Sequence, residues 1–267
     1  MSHTNHLIQF PDYQRLQTEV EKLRIELSML VLERDELLYV ECKNLEMAYM
    51  LALGGQEFRA YQLQCTILRL KRKIELIQAF INRQENISIP TIEEVLDNEF
   101  AAYKEQLDSQ IDRMNAALER SKGEFLTTEE AAELKTLYRK AVKALHPDLH
   151  PDQSEGRLTM FYHAVASYEN GDLSSLRIIC EMVAQEDSQN NDSSILHLAK
   201  QKERLTAIIA DIHTHIKTIK SEYPYTMKNL LQNEEELQKK KEELNTIIVQ
   251  LEEVLSLYES RITEMLR

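Results

Sequence analysis

The chain has 267 residues, 29% of them charged, and contains only five Gly and five Pro. Because apolar residues recur with a helical period and helix breakers are rare, this composition predicts an all-α protein and disfavours glycine-rich nucleotide sites. The formal net charge of −13 argues against a general nucleic-acid binder, which needs a basic surface to meet phosphates. No apolar run reaches the ~20 residues that span a bilayer, and no signal sequence is recognised, so we expect a cytoplasmic protein without a membrane partner.

Residues 1–123 are predicted to form an N-terminal helical bundle or coiled-coil arm. A coiled-coil seam with alternating spacings of four and three is formed by Leu16, Val20, Leu23, Leu27 and Leu30. The adjacent Gly54 and Gly55 predict a helix break, since paired glycines weaken a helix and permit a left-handed cap. Pro90 predicts a second break, followed by a helix that opens on a capping box of Thr91 and Glu94 and runs to about Leu118.

The second predicted helix carries a basic cluster formed by Arg69, Lys71, Arg72 and Lys73. These residues surround more than half of the helix and have no aromatic neighbours on which bases could stack. We therefore interpret the cluster as a solvated face with salt bridges rather than as a nucleic-acid site.

The segment from 134 to 152, LKTLYRKAVKALHPDLHPD, combines an amphipathic helix with a stiff turn. One face carries apolar residues at helical spacing, which are Leu134, Leu137, Tyr138, Ala141 and Leu145. Another face carries a basic stripe, which consists of Lys135, Arg139, Lys140 and Lys143. Thr127 with Glu130 predicts the helix start, and Pro147 predicts an end near His146. We expect His146 and Asp148 to be held on an exposed loop.

A metal site is the other chemical interpretation of this segment, with the ligands His146, Asp148, His150 and Asp152. These four ligands come from seven consecutive residues that include two stiff prolines, so they can hardly close around one ion. The chain also has no nucleophile elbow, phosphate-binding glycine loop or zinc-protease pattern. We therefore expect no metal, no cofactor and no enzymatic activity.

The sequence EEAAELKTLYRKAVKALHPDLHP resembles the second helix and His-Pro-Asp loop of a J-domain, the module by which J-domain co-chaperones engage heat-shock chaperones of the DnaK type. The resemblance includes the core residue Tyr138, the following Arg139-Lys140, and the spacing of eight residues from Tyr138 to His146. That spacing selects His146-Pro147-Asp148 over the near copy at 150–152. The segment 161–168, FYHAVASY, is similar to the third helix of the family.

The resemblance implies binding to the ATP-bound form of a DnaK-type chaperone and stimulation of its ATP hydrolysis. Docking on an acidic face of the chaperone would use Lys135, Arg139, Lys140 and Lys143, while Asp148 in the His146-Pro147-Asp148 turn would reach the interdomain control region. The first helix of the family, with its Tyr-x-x-Leu-Gly pattern, does not precede Thr127. We expect the helix that ends near Leu118 to take its place.

The predicted architecture is a helical bundle or coiled-coil protein with an embedded J-domain-like helical hairpin at 124–184. Asn170-Gly171 ends one helix and Asp172 caps the next, while the polar residues 185–194 form a linker. Residues 195–267 are predicted to form a C-terminal coiled-coil hairpin that bends near Pro224; one long kinked helix and a parallel homodimeric coil fit the same repeats.

The predicted function is that of a co-chaperone or adaptor that acts through protein–protein interaction, with helical flanks that choose an unidentified client. The alternative is a structural coiled-coil scaffold whose J-like element no longer couples to a chaperone, and the coiled-coil seams also allow homo-oligomers.

Overall fold

A computed structural model describes residues 11–122, 126–184 and 195–267. These residues form helices and connecting turns without any strand, so the predicted all-α class is confirmed. Within the same ranges, no helix combines the length and the apolar character needed to cross a membrane. The predicted linker at 185–194 lies outside the described residues.

The α-helices are, in chain order, α1 (Pro11–Asp35), α2 (Cys42–Tyr49), α3 (Gly55–Asn82), α4 (Ile89–Glu99), α5 (Ala101–Lys122), α6 (Thr128–Leu145), α7 (Glu155–Glu169), α8 (Leu173–Ala184), α9 (Ile195–Ser221), α10 (Lys228–Gln232) and α11 (Glu234–Met265). Two π-helical segments, Glu36–Glu41 and Met50–Gly54, connect α1, α2 and α3. A short 3₁₀ turn, Tyr225–Met227, precedes α10.

The chain packs as two compact units, each assembled from separate parts of the sequence. Among the described residues, the first unit combines 11–43 with 126–184 and 195–226, and the second combines 44–122 with 227–267. The sequence instead predicts three consecutive modules with boundaries at 123, 184 and 194. The difference arises because long amphipathic helices cover their apolar stripes with partners that are distant in sequence.

In the first unit, α1 and α9 pack as a parallel pair. Lys202 binds Glu19 at 2.7 Å towards the start of both helices, and Lys220 binds Glu33 at 2.8 Å towards their ends. The buried residues of this pair include Val20, Leu27, Val31, Leu205, Ile209, Ile212 and Ile216. The apolar stripes predicted for α1 and α9 therefore pack against each other within one chain.

In the second unit, α3 packs against α11. Arg59 of α3 binds Glu252 of α11 at 3.0 Å, and Ile77 and Ile262 share an apolar cluster with Ile92 of α4. The predicted C-terminal hairpin is wrong, because α9 pairs with α1 and α11 pairs with α3. The prediction that the region of Pro224 separates two helices is confirmed.

The predicted helix break at the paired glycines is also wrong. Gly54 and Gly55 both have right-handed helical backbone angles, and helical residues continue through them. A Cβ at Gly54 would lie 3.2 Å from the sulfur of Met50 and 3.6 Å from Met114 of α5. The glycine therefore allows close side-chain approach and does not act as a cap.

The helix predicted to open at Thr91 begins earlier and is interrupted. Ser88 is the N-cap of α4 and Pro90 lies in its first turn, where a missing N–H costs no hydrogen bond. The predicted capping box of Thr91 and Glu94 is therefore wrong. The helix also ends at Glu99, and α5 begins after Phe100.

The basic cluster of α3 is paired with acidic residues of α4. Arg69 contacts Glu93 at 2.5 Å and Asp97 at 2.8 Å, while Lys73 contacts Glu93 at 2.5 Å. The guanidinium of Arg72 lies 2.8 Å from Glu99. These contacts confirm the interpretation of the cluster as a face with salt bridges.

Candidate partner-binding site

Helix α6 starts at the predicted capping box. The hydroxyl of Thr127 accepts a hydrogen bond from the Glu130 N–H at 3.2 Å, and the Glu130 carboxylate accepts one from the Thr127 N–H at 2.9 Å. Hydrogen bonding from Thr127 lowers the pKa of the Glu130 carboxyl. Two helix-start N–H groups that lack intrahelical partners are thus satisfied, which fixes the register of α6.

Helices α6 and α7 are held together by two pairs of rings. Tyr138 of α6 stacks on Tyr168 of α7, with ring centroids 4.1 Å apart and an interplanar angle of 6°. Eight residues further along, His146 meets Phe161 edge to face at 5.0 Å. The side chains of α6 that are buried against its neighbours are Leu134, Tyr138, Ala141, Val142 and Leu145. The predicted apolar face of α6 is therefore a packed face.

His146 ends α6 but is buried, contrary to the expectation that it lies on an exposed loop. Only 3% of its surface is accessible, since the ring lies against Phe161. Its Nδ1 accepts a hydrogen bond from the Asp148 N–H at 3.1 Å, and its carbonyl oxygen accepts bonds from the N–H groups of Leu149 and His150. Burial lowers the pKa of His146 to about 4 against the opposing effect of Asp148, so the ring is neutral near pH 7.

The carbonyl groups at the end of α6 are capped by three side chains that follow it. His150 Nε2 lies 2.9 Å from the Lys143 oxygen, Gln153 donates to the Leu145 oxygen at 2.8 Å, and Arg157 donates to the Ala144 oxygen at 2.9 Å. Carbonyls in the last turn of a helix otherwise lack protein donors. His150, the first residue of the second His-Pro-Asp tripeptide, therefore helps to cap the helix that the first tripeptide ends.

Asp148 is the acidic group that this capped turn presents. Its side chain is 41% exposed, and its nearest oxygen lies 3.8 Å from Nδ1 of His146. Pro147 is half-buried and Leu149 is buried beside it. The Asp148 carboxylate is thus open to an external partner, while the backbone that carries it is held by buried neighbours.

The predicted basic stripe lies on the exposed side of α6. Arg139, Lys140 and Lys143 are exposed and form no ion pair with the described part of the chain. Lys135 is also exposed, but it contacts Glu36 of the first π-helical segment. The structure therefore gathers three available cations next to the turn and places the fourth in an intramolecular ion pair.

Arg34 and Asp35, at the end of α1, are site residues that sequence reasoning missed. The Tyr138 hydroxyl donates to Asp35 at 2.6 Å, and Arg34 donates to the same carboxylate through Nε and Nη2 at 2.8 and 2.6 Å. Burial and the nearby Asp35 charge raise the pKa of the Tyr138 phenol. The sequence signal was that Asp35 follows the apolar Leu27 and Val31 at four-residue spacing, which places a carboxylate on the same side of α1 as those residues.

The end of α1 packs against α6. The replacement expected from the helix near Leu118 is wrong, because that helix is α5, which belongs to the second unit, whereas α1 packs on α6 within the first. Helix α8 completes the packing: Arg177 binds Glu133 of α6 at 2.7 Å, and the thiol of Cys180 donates to the Leu137 oxygen at 3.2 Å.

The described ranges contain no group of three or more His, Cys, Asp or Glu side chains arranged to hold a metal ion. His146 and His150 instead use ring nitrogens in hydrogen bonds to the backbone of the turn and of α6. In comparisons with family models, curated proteins and solved structures, the chain gives no significant match. The functional assignment of the site therefore rests on its own residues and their geometry.

Proposed function

We propose that this protein is a cytoplasmic co-chaperone or adaptor that binds the ATP-bound form of a DnaK-type heat-shock chaperone and stimulates its ATP hydrolysis. The observation that carries the proposal is the capped His146-Pro147-Asp148 turn on a helix whose exposed Arg139, Lys140 and Lys143 form no ion pair with the described residues. The protein contributes no catalytic group of its own. Its contribution is to place a carboxylate and a set of cations on the partner.

The charge distribution supports docking on an acidic partner surface. Arg139, Lys140 and Lys143 form a local basic patch on a chain with a net charge of −13. A local patch of this kind can steer association and fix orientation even when the whole protein repels an acidic partner at long range. Added salt screens such contacts, because the Debye length falls to about 8 Å at physiological ionic strength.

The rigidity of the turn supports a role for Asp148 as the inserted group. Hydrogen bonds to the carbonyls of Lys143, Ala144 and Leu145 order the end of α6 before any partner binds. Ordering a mobile side chain or loop at an interface costs about 0.5–1.5 kcal/mol for each immobilised residue. A preformed turn avoids part of that cost and keeps Asp148 at a fixed distance from the basic patch.

The helical flanks are the proposed source of client choice. The paired helices α1 with α9 and α3 with α11 provide long surfaces on either side of α6 in the sequence. The client itself is an unidentified protein.

A binding experiment with charge reversal tests the proposed docking surface. The full-length chain, an Arg139→Glu/Lys143→Glu variant and a Lys239→Glu/Lys241→Glu control are titrated with a DnaK-type chaperone held in ATP. We expect the variant on α6 to bind about tenfold or more weakly and to lose much of the salt dependence. The control, which changes the same net charge on α11, should bind like wild type.

Lys135→Gln should have a smaller effect on binding than Lys143→Gln, because Lys135 is already paired with Glu36. Absence of binding by the wild-type chain, or an equal loss in the α11 control, would contradict the docking proposal. Either result would favour the structural scaffold.

A further inference from the structure

We propose that Asp35 is a positioning residue for the His146-Pro147-Asp148 turn, supplied by α1 from far outside the J-like segment. The contribution of this role to chaperone stimulation rests on the proposed function. The positioning itself is a property of the first unit and can be measured without a chaperone.

The Asp35 carboxylate is buried and fully engaged. Its exposed fraction is 0%; Oδ1 accepts both hydrogen bonds from Arg34, and Oδ2 accepts the hydrogen bond from Tyr138. Tyr138 is likewise 0% exposed, so the hydrogen bond between Tyr138 and Asp35 is closed to water. In such surroundings a charge-assisted hydrogen bond is strong and directional.

The hydrogen bond holds α6 at one end of its contact with α7. Tyr138 stacks on Tyr168, while His146, at the other end of the same contact, meets Phe161. Tyr138 and His146 are separated by eight residues of α6, and Phe161 and Tyr168 by seven residues of α7. The hydrogen bond to Asp35 fixes the position of the Tyr138 ring against Tyr168. It therefore fixes the register of α6 against α7, and with it the position of the turn that His146 begins.

A carboxylate at position 35 fixes the orientation of Tyr138 more than it stabilises the folded state. Burying an ion pair costs desolvation, and well-packed apolar residues of similar size often give equal or greater stability. An apolar contact would let Tyr138 slide or rotate. The bonds from Arg34 and Tyr138 instead define one geometry.

The neighbouring Glu36 supplies a natural control. Glu36 contacts Lys135 of α6, three residues before Tyr138, but both side chains are about half exposed. Exposed ion pairs typically contribute little to stability, because water and salt screen them. Removing Glu36 therefore removes a contact between α6 and the residue next to Asp35 without disturbing the buried link.

Amide hydrogen exchange of the full-length chain tests the proposal. Asp35→Ala, Asp35→Asn, Tyr138→Phe and Glu36→Gln are compared with wild type at the amides of Asp148, Leu149 and His150, which are bonded to His146. Asp35→Ala and Tyr138→Phe should accelerate exchange at these amides by about tenfold or more, with smaller changes in the middle of α7. Asp35→Asn keeps an acceptor for the Tyr138 hydroxyl and should rescue part of the protection, whereas Glu36→Gln should match wild type.

Uniform acceleration through α6, α7 and α8 would overturn the proposal, because it would indicate a general loss of stability. Unchanged exchange at the turn in folded Asp35→Ala or Tyr138→Phe would overturn it as well. If Asp35→Ala does not fold, Tyr138→Phe, which removes only the hydroxyl, still decides between these results.

Chaperone assays then separate this proposal from the proposed function. Tyr138→Phe should lower the maximal stimulation of ATP hydrolysis more than it weakens binding, because the basic patch remains exposed. No stimulation by wild type would refute the proposed function while leaving the exchange result intact. Wild-type stimulation that is unchanged in Tyr138→Phe, despite a loosened turn, would contradict the functional part of the positioning role.

Discussion

Acidification should destabilise the first unit through His146. Burial lowers the pKa of this ring from 6.5 to about 4, so the unfolded chain binds the proton more tightly than the folded chain. The contribution of the neutral ring to the free energy of unfolding is therefore fully present above about pH 7.5, and it decreases as the pH falls through 6.5 towards 4. At about pH 5 the expected loss in the free energy of unfolding is about 2 kcal/mol.

The structure adds a local consequence to this loss. His146 Nδ1 accepts the Asp148 N–H, so a proton on Nδ1 would replace an acceptor by a donor and break the hydrogen bond. The Asp148 carboxylate, 3.8 Å away, only partly offsets this change. Protonation should therefore loosen the turn before the rest of the first unit unfolds.

Urea unfolding at about pH 7.5 and pH 5, followed through the NMR amide signals of α6, measures this effect for one unit. Wild type and His163→Gln, which removes an exposed imidazole, should lose stability in parallel between the two values. His146→Gln should lose about 2 kcal/mol less over the same interval. Equal pH dependence in His146→Gln and wild type, or an NMR titration of His146 near its ordinary value, would refute the account of the buried ring.

Three further substitutions test local features by their effect on the free energy of unfolding. Thr127→Ala should cost about 1 kcal/mol in the first unit, because it removes the side chain that caps α6; Thr128→Ala is the matched control. Gly171→Ala should cost about 1 kcal/mol, measured by thermal unfolding, because φ is +70° at this position; a gain in stability would contradict this. Glu99→Gln should leave the urea midpoint of the second unit nearly unchanged, since its ion pair with Arg72 is exposed to solvent; a clear fall in that midpoint would contradict this.

Local features were predictable where a few neighbouring residues determine the backbone. The capping box of Thr127 and Glu130, the end of α6 before Pro147 and the left-handed Gly171 all follow from side-chain chemistry within four residues. The apolar face of α6 also followed from its spacing. These features lie in one helix and its two ends.

Long-range features could not be predicted in the same way. The seam through Val20 and Leu27 shows that α1 needs a partner, but the periodic stripe of α9 fits that need no better than the stripe of α11. The burial of His146 depends on Phe161, and the link between Asp35 and Tyr138 joins residues 103 positions apart. A single sequence does not encode such contacts in any local pattern.

The most direct test of the central claim is steady-state ATP hydrolysis by a DnaK-type chaperone, with the purified full-length chain or its Asp148→Asn variant added at equal concentrations. We expect wild type to stimulate hydrolysis and Asp148→Asn to lose that stimulation while keeping its fold, because the Asp148 carboxylate is exposed on a turn that other residues hold in place. Absence of stimulation by wild type would contradict the co-chaperone function, and equal stimulation by Asp148→Asn would show that the turn is not the active element.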